Sequence, residues 1–510
     1  MTPTLLPALA TIWPHQVRYR KAAQAIAEGL FNALDDDLQP YVLLLALPAA
    51  PSPDPAAGPA VVVEPAGAEL SADAFLDAVA RGRARQSTSV WPYAERDDVS
   101  PEVLRRKHES MGLRLAVQET LDELDGHGPH QHFASWAIRI DGHFVLTLLR
   151  LRRKPLRAYP SLRPHRYYTD GRPLAPSLVV AAMSRFNEEC VKLLTEPEPG
   201  AGLLSRPRET DELLRAAGKL LMDTPAQALG LAPGAAQLFD TLNTISSLRY
   251  EGAEGVGRLL LARRGHPNLE EVFALTCPTD LDDFRAVRKL LEMTTPDVHL
   301  LGDGDKVFAL GRQVGSYDAS REDLFVINFI THYAWEFSHG AHVLLRAHYG
   351  LPGLPRLRLN KARFRRDLRR TFDLHDPAKV ERLWEVVLEA SRQAHGTMLV
   401  ITTDALAEAD RLKLQCTLIE PVPLTPLITR LVTSIDGAVL LDPEGYCYSI
   451  GVILDGTASG HGDGARGARY NSAVRYVESS LYPVLAVVVS EDGLVDVLTK
   501  EGLAEERRNK

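Results

Sequence analysis

The sequence predicts an α/β protein: a C-terminal mixed sheet flanked by helices, preceded by a large mixed α/β or α+β N-terminal region. Three observations predict it. In the last third, short apolar runs alternate with stretches of helical spacing, which implies a sheet covered by helices. Asp-Gly pairs separate strand-like runs at Asp141-Gly142 and Asp303-Gly304, a strong hairpin signal. The 45% hydrophobic and 24% charged usage is that of an ordinary globular chain, which excludes a collagen-like, low-complexity or wholly disordered protein.

The elements follow in order. VRYRKAAQAIAEGLFNAL has helical spacing and YVLLLAL reads as a strand. Residues 47–60 are rich in proline and small residues, so they form a loop or linker. FASWAIRI, Asp141-Gly142 and HFVLTLLRL read as a hairpin. The segment 196–209, EPEPGAGLLSRPRE, is the best boundary in the first half. Beyond it, DELLRAAGKLLM and LDDFRAVRKLLEM are helical, and DVHLLGDGDKVFALGRQVG is a strand pair. A second strand pair is expected around Gly340. Residues 356–370 are strongly basic and read as a solvated helix with Phe364 and Leu368 inward. This divides the chain into 1–200, 210–375 and 376–500.

Charge and cysteine usage narrow the function. With 58 basic and 66 acidic residues the net charge is −8, so nucleic acid is not the expected partner. The four cysteines, Cys190, Cys277, Cys416 and Cys447, form no paired motif. A disulfide framework and a zinc site are not expected, and a reducing cytoplasm fits. No targeting segment is expected, and no apolar run reaches the ~18 residues of a membrane span. His127, His130 and His132 are expected in a polar loop. Residues 149–168, basic and aromatic, read as a solvated loop. Trp335 and Trp384 are expected as core or half-buried anchors.

The last third carries the candidate chemistry. HGTMLVITT is a strand, CTLIEPVP a short extended run and LTPLITRLVTS a helix. GAVLLD and YCYSIGVIL are strands around a turn at Pro443-Glu444-Gly445. A loop with Gly456, Gly460, Gly462, Gly464 and Gly467 then leads into a helix expected near Asn471. Glycines allow close backbone approach, and a helix start presents free N–H groups to phosphate. Arg466 and Arg469 add charge there. A surface loop explains the glycines as readily. Asp436-Gly437-Ala438 sits between a helix and a strand, where a carboxylate beside two small residues suits a divalent metal and a nucleotide. A plain helix-end turn suits it too. Ser490-Glu491 ends the strand VLAVVVS, at a sheet edge where ligands commonly bind.

Taken together, IDGAVLLDPEGYCYSIGVIL, GARYNSA and AVVVSEDG resemble the nucleotide-binding domain of the bacterial diadenylate cyclases, the DAC family. That family carries an Asp-Gly-Ala motif, a Gly-Thr-Arg-His-Arg motif opening a helix and a Val-Ser-Glu-Glu motif ending a strand. The resemblance covers about residues 380–500 and makes the C-terminal sheet DAC-like. It implies condensation of two ATP into cyclic di-AMP by two domains facing each other, in a homodimer or higher oligomer. It also implies a magnesium or manganese ion. Asp436 then serves the metal and the attacking 3′-hydroxyl, and Glu491 is the second metal-side carboxylate. Arg469 contacts triphosphate, Ser490 a phosphate, and Gly437, Ala438 and Gly467 line the nucleotide. Ala468, Tyr470 and Asn471 replace the family's threonine, histidine and second arginine. Those departures keep two alternatives open: a binding module without turnover, or a cyclase for another nucleotide. Upstream, THYAWEFSHGAHVLLRAHYGLPGLP resembles sensor regions of the DACNV type fused to such domains.

Overall fold

A computed structural model describes residues 13–49, 61–65, 69–86, 100–163, 168–169, 172–201, 206–232, 237–252, 254–355, 361–393, 396–456, 467–490 and 495–509. The chain divides into two compact units, Met1–Pro355 and Arg356–Lys510.

In the first unit, helix Gln16–Leu34 buries Tyr19, Ala23, Ala27, Leu30 and Leu34, the three-to-four spacing of an amphipathic helix. Strand Tyr41–Pro48 pairs antiparallel along its length with His143–Arg152. The turn before that second strand holds Asp141 at φ 44° and Gly142 at φ 80°. Positive φ at both positions matches the twist of a two-residue hairpin. An eight-stranded sheet follows. Its strand Gly257–Ala262 pairs parallel with His299–Gly302 and antiparallel with Leu324–Thr331. Hairpins form at Asp303-Gly304 and Gly340, between His299–Gly302 and Lys306–Gln313 and between Ala334–His339 and His342–His348. Trp335 is fully buried, donates from Nε1 to the Asn243 side-chain oxygen at 2.8 Å, and meets Phe239 edge-on.

Two loop expectations are corrected in this unit. His130 and His132 lie on strand His130–Ala134. His132 is buried, and its backbone N–H and ring Nδ1 both reach the Asp125 carboxylate at 2.6 Å. Pairing with a carboxylate from the preceding helix makes a polar residue tolerable inside. Residues 149–152 complete the strand His143–Arg152, and Arg153–Leu156 is a short helix. Arg150 spends its charge over the Tyr41 ring, 4.5 Å from the centroid. Residues 164–167 of that stretch lie outside the described residues.

The second unit is a three-layer α/β/α sandwich. Helices α1 (Lys361–Phe372) and α2 (Pro377–Ala390) precede strand β1 (Thr397–Thr402). Helix α3 (Ala405–Arg411), strand β2 (Thr417–Pro423), helix α4 (Pro426–Val432) and strands β3 (Ala438–Leu441) and β4 (Tyr446–Val452) follow. Helix α5 (Ala468–Ser479), strands β5 (Val484–Val489) and β6 (Val495–Thr499) and helix α6 (Lys500–Asn509) close it. The sheet order is β2-β4-β3-β1-β5-β6, with β1 and β3 parallel and the other neighbours antiparallel.

Alternation builds the two faces. Leu399, Ile401, Val439, Leu485 and Val487 pack with Phe364, Leu368, Leu383 and Val387 on the side of α1 and α2. Met398, Val400, Ala438, Leu440, Ala486 and Val488 pack with Ala405, Ala409, Ala473 and Val477 on the side of α3 and α5. With both faces covered, β1, β3 and β5 are buried at every position, which is why they read as unbroken apolar runs. Phe364 and Leu368 are inward, and Trp384 is half-buried beside Phe364.

Candidate functional site

The register brings the separated motifs to one edge of this sheet. Thr397, the first residue of β1, stands opposite Val489, the last of β5. Met398 stands beside Ala438, the first residue of β3, and Ala438 opposite Val452, the last of β4. The chain before β3, the chain after β4 and the chain after β5 therefore meet at one end. Asp436, Gly437, Ala438 and Ser490 lie there. Glu491 lies outside the described residues, as do Gly460, Gly462, Gly464 and Arg466.

Asp436 follows α4, whose start is fixed by Pro426 at its first position and by the Thr425 hydroxyl accepting from the Ile428 N–H. Gly437 then takes φ +103°. A Cβ there would stand 2.6 Å from the carbonyl carbon of Gly451 and 2.8 Å from its Cα. Gly451 is itself at φ +62°. The ladder between β3 and β4 slips at this point, since Ala438 opposes Val452 while Leu440 opposes Ser449. The extra residue is a β-bulge, which needs an adaptable backbone. Gly437, just before β3, and Gly451, on β4, thus let the backbones touch and set the exit direction of Asp436. Ala438 is fully buried below them.

Helix α5 supplies the cation. It starts at Ala468, with Gly467 as N-cap, so the expected start near Asn471 is corrected by one turn. The Asn471 N–H already bonds the Gly467 carbonyl at 3.2 Å, which closes that first turn. Nothing lies within 4 Å of a Cβ at Gly467, and Ala468 is exposed. Arg469 donates from Nη2 to Asp436 Oδ1 at 3.0 Å. This bond, followed by one from the Gly437 N–H, holds the Asp436 carboxyl below the usual carboxylate range. The Asp436 side chain is 89% exposed and that of Arg469 34%, so the pair is weakly held and screened by solvent. Tyr470 packs against the core on the α5 side. Asn471 and Ser490 are half-buried. Thr397 is buried at the same edge, and its hydroxyl finds no partner among the described residues.

A second polar group, absent from the sequence reading, braces this edge. Arg411, the last residue of α3, forks onto Asp455 at 2.5 and 2.9 Å and onto Glu408 at 2.9 and 2.8 Å. The buried Tyr476 hydroxyl donates to Glu408 at 2.7 Å. Burial pushes the Glu408 carboxyl up, but the bonds from Arg411 and Tyr476 outweigh it and leave it below its ordinary 4.5. A carboxyl lowered by folding stabilises above its unfolded value and loses that contribution as pH falls through its folded value. Between pH 6 and pH 3.5, the wild-type C-terminal unit is therefore expected to lose more melting temperature than Glu408→Gln. Scanning calorimetry at both pH values checks this, and parallel losses would remove Glu408 as the titrating group.

Among the described residues no three histidine, cysteine or carboxylate side chains cluster as a metal site. The four cysteines are free.

Three family models match the chain. Residues 12–222 match "Probable sensor domain DACNG" and residues 236–341 match "Probable sensor domain DACNH". Residues 385–503 match "DisA bacterial checkpoint controller nucleotide-binding", the DAC model. The expected arrangement of sensor regions before a DAC domain holds, but the types matched are DACNG and DACNH where DACNV was expected. No curated protein matches. Among solved structures, a hypothetical membrane spanning protein from Bacillus cereus is 20% identical, with 27% of this chain and 68% of that chain covered and a TM-score of 0.22. A double mutant of DacA from Staphylococcus aureus is 17% identical, with 26% and 95% covered and a TM-score of 0.20.

Proposed function

We propose, from the DAC match at residues 385–503 and the two sensor matches upstream of it, a diadenylate cyclase-like nucleotidyltransferase. It condenses two ATP into cyclic di-AMP and two pyrophosphates, under control of the sensor region. The observation that carries this reading is the Asp436–Arg469 pair at the sheet edge, where an ionised carboxylate and a guanidinium meet beside a glycine-lined backbone.

In each half of the reaction, the 3′-oxygen of one ATP bonds to the α-phosphorus of the other. The bond from that phosphorus to the departing pyrophosphate breaks, and the hydroxyl proton passes to water. One domain holds one ATP, so two copies must face each other. Arg469 holds the triphosphate by charge-assisted bonds. Ser490 donates to a phosphate oxygen. Asp436 orients the 3′-hydroxyl. Gly437, Ala438, Gly467 and Ala468 leave room for the nucleotide, with Tyr470 and Asn471 at its border. Such catalysis is positioning and charge stabilisation.

The Asp436 carboxylate, exposed and ionised, fits a magnesium or manganese ion, which needs only one or two protein carboxylates beside phosphate and water. Glu491 is the second carboxylate of this reading. When bound, the ion supplies charge neutralisation on the triphosphate. A cytoplasmic location accords with the free cysteines, and no described helix is long and apolar enough to cross a membrane.

Mass spectrometry of products from ATP, GTP and a nucleotide mixture, with magnesium or manganese, tests the proposal. Cyclic di-AMP is expected. A folded oligomer that yields neither cyclic nor linear dinucleotide sinks it. Tyr470 favours a second reading, because it packs on the core where the family places a histidine. In that reading the domain binds nucleotide without turnover, or joins a different pair.

Arg469→Ala is expected to weaken ATP binding roughly ten-fold or more, since a charge-assisted contact contributes about 1.5–3 kcal/mol. Adenosine binding stays unchanged. Calorimetric titration of both ligands checks this, and equal losses would assign Arg469 to folding.

A further inference from the structure

We infer that Arg411 and Asp455 are positioning residues for the Asp436–Arg469 pair. Helix α5 carries both Arg469 and, seven residues on, Tyr476. That spacing puts the two on one face of the helix. The Tyr476 hydroxyl bonds Glu408, and Glu408 takes two bonds from Arg411. The same guanidinium takes Asp455 with its remaining donors. Asp455 follows β4 by two residues beyond Ile453, whose N–H bonds the Gln415 carbonyl at 2.9 Å. Val452, just before, is the residue paired with Ala438.

A closed path results. It runs from the strand end beside Asp436, through Asp455, Arg411, Glu408 and Tyr476, back along α5 to Arg469. Gly456 adds a direct contact, since a Cβ there would stand 2.9 Å from the backbone carbonyl carbon of Arg475. The planar fork of Arg411 fixes direction as well as distance, which a lysine cannot do. The path has a dry half and a wet half. Glu408 and Tyr476 are buried, whereas the side chains of Asp455 and Arg411 are 44% and 45% exposed. Asp455 can therefore be released from the guanidinium while Glu408 keeps both partners. The surface half fixes the chain after β4, whose Gly456 lies against the α5 backbone at Arg475, and the buried half ties Tyr476 of α5 to α3.

The nucleotide arm of the test rests on the cyclase reading, and the exchange arm does not. In the full chain, Asp455→Asn is expected to speed amide hydrogen exchange in residues 468–479 by roughly three-fold or more, with β1, β3 and β5 unchanged. Unchanged exchange in α5, or equal acceleration through the sheet, overturns the inference. Arg411→Lys, which keeps the charge and loses the fork, is expected to show the same local effect. Lysine behaving as wild type would overturn the claim for the fork. In calorimetric titrations Asp455→Asn should weaken ATP about five-fold while adenosine is unchanged, because only the phosphate contact is displaced. Equal losses for both ligands overturn a positioning role. If wild type binds no ATP, the cyclase reading falls, and the exchange arm still decides the brace.

Discussion

Asp436→Asn is expected to cut dinucleotide synthesis by roughly a hundred-fold or more, the scale of losing one preorganised charged group at a reacting centre. The substitution keeps the shape of the side chain and removes its charge. Because the carboxylate is 89% exposed, the fold does not depend on it, and the melting temperature should stay within a degree or two of wild type. Arg469 loses its counterion in this variant, so metal-free ATP should bind at least as well as before. Product mass spectrometry, scanning calorimetry and titration in the presence of a chelator measure the three quantities. Synthesis within a few-fold of wild type would return Asp436 to the status of a turn residue.

Gly437→Ala is expected to be the most damaging small change in the C-terminal unit. The new methyl would stand 2.6 Å from the Gly451 carbonyl carbon, and the obstacle is backbone that no rotamer change can clear. The φ of +103° adds its own penalty for any L side chain. Together these should cost about 3 kcal/mol, which lowers the melting temperature of a unit this size by roughly 6–12 °C. Synthesis should vanish as well, because relief of the clash moves Asp436. Gly467→Ala is the control: it has open space and an ordinary φ of −63°, so less than about 1 kcal/mol is expected from the poorer cap. Calorimetry on the two variants compares them directly. Equal melting temperatures would show that the contact between the two glycines yields easily.

The sheet of the C-terminal unit was legible because burial on both faces writes itself as apolar runs, as in TMLVIT and VLAVVV. Motif order then brought Asp436, Arg469 and Ser490 into one frame. Helix α5 read three residues short, because the sequence suggests that a glycine-rich loop continues to Tyr470, whereas one glycine suffices as the cap. His132 was misread because its partner, Asp125, belongs to the preceding helix, and a polar string looks exposed until that pairing is known. Gly451 left a signal that could have been used: a glycine inside a strand run marks a bulge or a close backbone approach. Arg411 and Asp455 left none. They are 44 residues apart, and no periodicity joins a helix end to the residue beyond a strand.

The ion pair between Asp436 and Arg469 has a consequence for the order of binding. In the cyclase reading, each partner of the empty site serves as the other's counterion. A lone divalent cation arriving at Asp436 must compete with a guanidinium, and a lone triphosphate arriving at Arg469 must compete with a carboxylate. A cation already chelated by the triphosphate meets neither obstacle, because the exchange of partners is complete on both sides at once. In this reading metal and nucleotide are thermodynamically linked, each raising the affinity of the other by the same factor, a modest one because the pair is exposed and weakly held. In that reading the protein favours the pair as one ligand over free cation or free nucleotide.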